Sequence, residues 1–196
     1  LFMDHLTNEW MRQAFDEALL AVGYTRPNPA VGALIVRDGC LVGRGRTQPP
    51  GQHHAEIVAL NEAGELARGA DLYVTLEPCC HYGRTPPCTD AIIRAGISRV
   101  FISVLDQNPR VNGGGYRQLT EAGIDVRVGI MADYGEEFYL GFHHWIKTGR
   151  PWVDVKIAQS LDGFIGGPRR ERIQISGELA QRWVHHLRAR VDLIAV

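Results

Sequence analysis

The feature that most constrains this chain is a set of candidate metal ligands spread over separate segments. His54-Ala55-Glu56 comes first, Pro78-Cys79-Cys80 follows, and eight residues separate Cys79 from Cys88. Zinc takes imidazole and thiolate ligands in a tetrahedron, and three protein ligands leave the fourth corner to water, which is the catalytic arrangement. His54, Cys79 and Cys88 supply that count. Any fold that uses them has to bring the three side chains to one point.

Glu56 follows His54 by two residues, at the start of an expected helix. It is placed to reach the fourth corner without being a ligand, and its expected role is proton shuttle. Two thiolates already cancel the charge of a divalent ion, so the pull on water is weaker than in an all-histidine site. A nearby carboxylate that accepts the water proton compensates, and it can return that proton to a leaving amine. Attack of water on an amidine-like ring carbon with loss of ammonia is hydrolytic deamination. Cys88 precedes a short helix expected from Thr89, where the helix dipole favours a thiolate.

Each residue also has a plainer reading. A lone His-x-Glu is common, and an isolated cysteine pair is more often core than ligand. The combination of His-x-Glu at a helix start, Pro-Cys after a strand and a second Cys at a helix start outweighs both. Cys40 is expected in a buried strand, Cys80 as a bystander, and His53 in solvent or behind the ligands. His81 is left as a competing ligand, a substrate contact or a loop filler. His143-His144 and His185-His186 lie on helix-like segments and are expected to pack or face solvent.

The chain has 196 residues, 45% hydrophobic and 22% charged, with a net charge of −1. That composition suits a soluble domain with a sizeable core and excludes a disordered chain. There is no positive field to hold a polynucleotide or an acidic membrane, and no apolar run of membrane-spanning length. Neither nucleic acid nor membrane is therefore an expected partner. Clustered cysteines without a secretory pattern read as reduced thiols, and a cytoplasmic setting is expected.

Hydrophobic periodicity predicts a helix over 7–22, capped by Thr7, with Met11, Ala14, Phe15, Ala18, Leu19 and Val22 on its apolar side. A strand over 30–36, an Asp38-Gly39 turn and a return strand over 40–45 form a hairpin. A helix opening near His53-His54 should bury Ile57, Leu60, Ala63 and Leu66. Strands follow over 71–76, 100–105 and 124–128, and helices over 89–95, 116–122 and 132–142, with Gly96 as a C-cap. The alternation implies an α/β fold, a three-layer sandwich with a mixed central sheet. A boundary falls near 147–151, giving domains 1–147 and 148–196. The second holds an expected strand over 152–158, a turn at Ser160–Gly163, a helix near 177–190 and a strand beginning at Asp192. So short a segment does not enclose a core of its own.

Zinc deaminases carry His-x-Glu followed by Pro-Cys-x-x-Cys; here the cysteines are further apart. The run EPCCHYGRTPPC, with RPNPAVGALIV before it and LDQNPRVNGGG after it, resembles the RibD family of bacterial riboflavin biosynthesis. That family joins a cytidine deaminase-like pyrimidine deaminase to an NADPH-dependent reductase with a dihydrofolate-reductase-like fold. The resemblance implies one Zn2+ held by His54, Cys79 and Cys88, with Glu56 as proton donor. It implies that Asn28 holds the pyrimidine, that Arg84 contacts the ribose phosphate, and that Asp106 and Asn108 close over the substrate. Without it, Arg84 reads as a surface arginine and Asp106 and Asn108 as turn formers.

In the second domain the resemblance makes Ala158 a cofactor contact and Arg188 a substrate contact. Gln174 and Arg172 depart from the family's pattern, and the reductase segment is expected to be incomplete. The arginines at 169, 170, 172, 182, 188 and 190 face either a cofactor phosphate or solvent. The implied reaction is deamination of 2,5-diamino-6-ribosylamino-4(3H)-pyrimidinone 5′-phosphate. Other nucleoside, nucleobase or tRNA deaminases, and a non-catalytic zinc module closed by His81 or Cys80, are the rival readings. The apolar stretch beyond Pro151 is compatible with a homo-oligomer.

Overall fold

The structure, a computed structural model, describes residues 2–82, 86–168 and 173–195. It separates into two compact units, Leu1–Pro151 and Trp152–Val196.

In the first unit, helix α1 (Phe2–Ala21) precedes the hairpin of β1 (Gly32–Arg37) and β2 (Cys40–Arg46). Asp38 and Gly39 both have positive φ, 51° and 76°, as a two-residue hairpin turn requires. Then come α2 (Ala55–Ala63), β3 (Asp71–Leu76), α3 (Cys88–Ala95), β4 (Arg99–Val104), α4 (Gly114–Glu121), β5 (Asp125–Val128), α5 (Ala132–Phe138) and α6 (Leu140–Thr148). The five strands form one sheet in the order β2-β1-β3-β4-β5. β1 is antiparallel to β2 and β3, whereas β3, β4 and β5 are parallel. This is the mixed sheet expected from the sequence.

Strand alternation sorts the helices into two layers. A Cβ on Gly32 would meet the Ala14 carbonyl of α1 at 1.8 Å, so α1 lies on the face shown by Gly32. The next residue, Ala33, points the other way and pairs with Gly45. Cβ atoms on Gly43 and Gly45 would meet carbonyls of Ala59 and Ala55 at 2.3 and 2.1 Å, which puts α2 on that opposite face. Between the layers Leu34, Ile35, Leu72, Val74, Val100 and Ile102 are buried with Met11 and Phe15. At about 25 cal/mol per Å2 of apolar surface removed from water, such residues supply most of the stabilisation.

Several expectations are corrected. Helix α1 runs through Thr7 instead of starting there, and Leu19 is exposed. The buried side of α2 is Ala55, Glu56, Ala59 and Ala63, not Ile57, Leu60 and Leu66. The reason is backbone-close packing: Gly43 and Gly45 admit alanines and leave no room for larger side chains. Cys40 is exposed, at the first position of the edge strand β2. The helix expected over 132–142 is two helices with a break at Tyr139. There the buried Tyr139 hydroxyl meets Thr75 Oγ1 at 2.6 Å and donates to the Ala30 carbonyl at 3.0 Å.

The second unit contains α7 (Glu178–Ala189) and a turn in which Gly163 N donates to the Ser160 carbonyl at 3.0 Å. The strands expected over 152–158 and from Asp192 do not form among the described residues. No described residue of this unit is buried. No helix among the described residues is long and apolar enough to cross a membrane.

Candidate active site

The sheet topology brings the candidate residues to one end of the first unit. β3 and β4 are parallel, so their C-terminal ends lie together. β1 is antiparallel to β3, so its first residues share that end, and so does the last residue of β2, paired with Gly32. The turn with Asn28 leads into β1, and the loop with His54 leaves β2. Cys79 follows β3 and Asp106 follows β4. Ligands of open α/β sheets bind at this kind of strand-end crevice.

His54, Cys79 and Cys88 converge there, with ligand atoms all within 4.8 Å of one another. His54 is the residue before the first turn of α2, and Cys88 is the first residue of α3. His54 Nδ1 lies 3.6 Å from Cys79 Sγ and 3.3 Å from Cys88 Sγ. The Cys88 amide donates to Cys79 Sγ at 3.4 Å. A tetrahedral zinc with bonds of about 2.0–2.3 Å has ligand-to-ligand edges of roughly 3.3–3.8 Å. The donor set and the two His54-to-sulfur distances fit that ion. Among the described residues no fourth histidine, cysteine or carboxylate joins the group. The Cys80 sulfur lies 3.9 Å from the Arg110 carbonyl, and His81 Nδ1 is buried with no hydrogen-bond partner.

The electrostatics fit a cation centre. Hydrogen bonds from Cys88 and His54 hold the Cys79 thiol down, to about 4, despite its burial. The Cys79 sulfur in turn holds the His54 imidazole up, to about 9. Cys88 is raised by its hydrogen bond to Cys79 and by burial. A bound cation displaces protons from such a cluster. Glu56 is buried in the first turn of α2, hydrogen-bonded to Cys88, and burial pushes its carboxyl up to about 7.

Around this centre, Asp106 is buried, and burial raises its carboxyl above the usual range. Its Oδ1 accepts from the Asn108 amide at 2.9 Å, and Asn108 Oδ1 accepts from the Arg110 amide at 3.1 Å. Both are thus turn formers, at the same end of the sheet as the metal-ligand cluster. Asn28 is exposed, in a turn closed by its amide to the Thr25 carbonyl and by Thr25 Oγ1 to its own carbonyl, each at 2.9 Å. Arg84 lies outside the described residues, as do the arginines at 169, 170 and 172. His53 is exposed. His143 is buried against Tyr139 and Phe142, whereas His144, His185 and His186 are not buried. In the second unit Ala158 is half-buried, and Arg188 and Gln174 are exposed.

The sequence reading gave no role to Glu77, which is only 4% exposed. Its Oε2 accepts from the amides of Asp106 and Gly113, at 3.1 and 3.0 Å, and its Oε1 from Tyr116 at 3.0 Å. The available signal was a carboxylate at the end of an apolar strand, where an acidic side chain needs partners.

The fold and the site together define a zinc-binding deaminase domain. Residues 5–104 match the family described as the cytidine and deoxycytidylate deaminase zinc-binding region, and the chain belongs to that family. Residues 151–196 match the RibD C-terminal domain. Riboflavin biosynthesis protein RibD of Aquifex aeolicus is 44% identical over 191 residues, 97% of this chain and 54% of that protein. A Thermotoga maritima diaminohydroxyphosphoribosylaminopyrimidine deaminase/5-amino-6-(5-phosphoribosylamino)uracil reductase superposes with a TM-score of 0.88 at 37% identity, over 95% of this chain and 54% of that one. Aspergillus oryzae Rib2 deaminase, a C-terminal deletion mutant in complex with DARIPP, superposes with a TM-score of 0.53 at 25% identity, over 63% of this chain and 83% of that one. The chain spans about half the length of the curated relatives it matches.

Proposed function

We propose that the first unit is a zinc-dependent aminohydrolase acting on 2,5-diamino-6-ribosylamino-4(3H)-pyrimidinone 5′-phosphate. Its products are 5-amino-6-(5-phosphoribosylamino)uracil and ammonia, in riboflavin biosynthesis. The observation that carries this reading is the convergence of His54, Cys79 and Cys88, with Glu56 buried against Cys88. The RibD relatives and the Rib2 deaminase in complex with DARIPP support the substrate class.

His54 Nδ1 and the sulfurs of Cys79 and Cys88 would hold the ion. Zinc, when bound, supplies the Lewis acidity that makes water nucleophilic near neutral pH. Glu56 takes a proton from the attacking water on a carboxylate oxygen and passes it to the departing amino nitrogen. The new C–O bond remains on the ring carbon, and the C–N bond breaks as ammonia leaves. Burial of Glu56 keeps bulk water from competing for that proton. Asn28 meets the pyrimidine, Asp106 and Asn108 close over it, and Arg84 takes the phosphate. The partner is thus a small phosphorylated pyrimidine, with neither nucleic acid nor membrane, in a cytoplasmic setting.

We read the second unit, whose residues 151–196 match the RibD C-terminal domain, as part of an NADPH-dependent reductase domain that would place Ala158 at the cofactor and Arg188 at the substrate. None of its described residues is buried, so the residues present form no cradle for a dinucleotide.

The test is ammonia release from the ribosylaminopyrimidine phosphate, beside cytidine, deoxycytidylate, guanine and tRNA, with and without a chelator. Chelator-sensitive release from the pyrimidine phosphate above all others is expected. Preference for another substrate moves the chain to a different deaminase, and no release from any of them leaves the non-catalytic zinc module.

A further inference from the structure

Glu77 lies two residues before Cys79 in the chain, and its hydrogen bonds reach across to residues 104–116, which include the loop assigned above to the substrate. Its own amide donates to the Val104 carbonyl at the end of β4. Its carboxylate accepts the three amides of Asp106, Gly113 and Tyr116. Gly113 is the residue before α4 and Tyr116 lies in its first turn, and no local side chain caps that helix. A distant carboxylate therefore satisfies the free amides of the helix start, where negative charge is favoured. The same amides are then not available to a substrate phosphate. Gly115 completes the junction, because a Cβ there would meet the Pro78 carbonyl at 2.1 Å. Pro78 is followed directly by Cys79.

We propose that Glu77 is a positioning residue, whose carboxylate locks residues 106–116 against the peptide bearing Cys79 and so fixes the substrate loop relative to the metal cradle. Its effect on binding rests on the reading that Asp106 and Asn108 meet the substrate. Hydrogen bonds to a charged acceptor are the strong ones, and Glu77 makes three of them out of solvent.

Glu77→Gln keeps the shape but sets an amide NH2 against at least one backbone N–H. With zinc content and melting behaviour retained, KM for the pyrimidine phosphate should rise about tenfold while kcat changes by less than about threefold, as expected when an interaction used in binding is lost. Tyr116→Pro is a second variant. It deletes one donor in the first turn of a helix, where proline is tolerated. It should raise KM about threefold, and adding it to Glu77→Gln should have less than its separate effect, because the two residues share a contact. Amide hydrogen exchange gives a readout that needs no turnover: the amides of Asp106, Gly113 and Tyr116 should exchange at least about tenfold faster in Glu77→Gln, while the β3 amides do not.

Unchanged KM together with unchanged exchange overturns the proposal. So does loss of zinc or of the cooperative melt in both variants, which would make Glu77 a support of the fold alone. If the wild-type protein fails to deaminate the pyrimidine phosphate, the substrate reading falls, and the exchange measurement still decides whether Glu77 locks the segment.

Discussion

Residues 71–76 and 152–158 carry similar strand-forming sequence and have different outcomes. Asp71–Leu76 becomes β3, paired on both sides by β1 and β4, with five of its six residues buried. Trp152-Val153-Asp154-Val155-Lys156-Ile157-Ala158 alternates apolar and polar residues more regularly, yet it forms no strand. Val153, Val155 and Ile157 are 72%, 78% and 64% exposed. A strand is stabilised by cross-strand neighbours and a covered face more than by its own pattern. The first unit supplies both from within itself, and the described residues of the second supply neither.

The largest effect that sharpens this contrast is catalytic. Glu56→Gln should keep zinc and the melting temperature and lower deamination about 100- to 10,000-fold, the range of a lost general acid–base group. Trp183→Ala, on the exposed helix of the second unit, should leave deamination within about twofold, as is usual for a surface change away from the site. Ammonia release measures both, and equal losses would break the division of labour between the units.

The next effect is on stability. Ile102 is fully buried in β4, and Ile102→Ala should cost about 2–5 kcal/mol in a denaturant titration. Val155→Ala should cost less than about 0.5 kcal/mol. A large loss from Val155→Ala would show that the second unit has a core of its own. Hydrogen exchange draws the same line more finely: β3 and β4 amides should open only with the whole domain, and amides of 152–158 should show little protection. The smallest effect is at the exposed thiol of Cys40, where Cys40→Ser should change stability by less than about 0.5 kcal/mol.

Much of the first unit was legible because local signals and tertiary packing agree. Asp38-Gly39 marks the hairpin, Gly96 ends α3 at φ 72°, and the apolar runs at 32–37, 71–76 and 99–104 find one another in a sheet. The metal-ligand cluster was legible because His54, Cys79 and Cys88 are uncommon residues at helix and strand ends. What escaped depends on contacts distant in sequence. The alanine side of α2 is chosen by Gly43 and Gly45 on another element, and periodicity favours the larger Ile57 and Leu60. Glu77 escaped because its partners are amides 29 to 39 residues away. The strand expected over 152–158 was a correct reading of pattern without a pairing neighbour to realise it.

X-ray absorption at the zinc edge of the purified protein tests the central claim most directly. The account predicts one zinc per chain with two sulfur neighbours at about 2.3 Å and two lighter nitrogen or oxygen neighbours at about 2.0–2.1 Å, and loss of one sulfur in Cys88→Ser. A third sulfur, two histidine nitrogens beside the two sulfurs, or no stoichiometric zinc would contradict it.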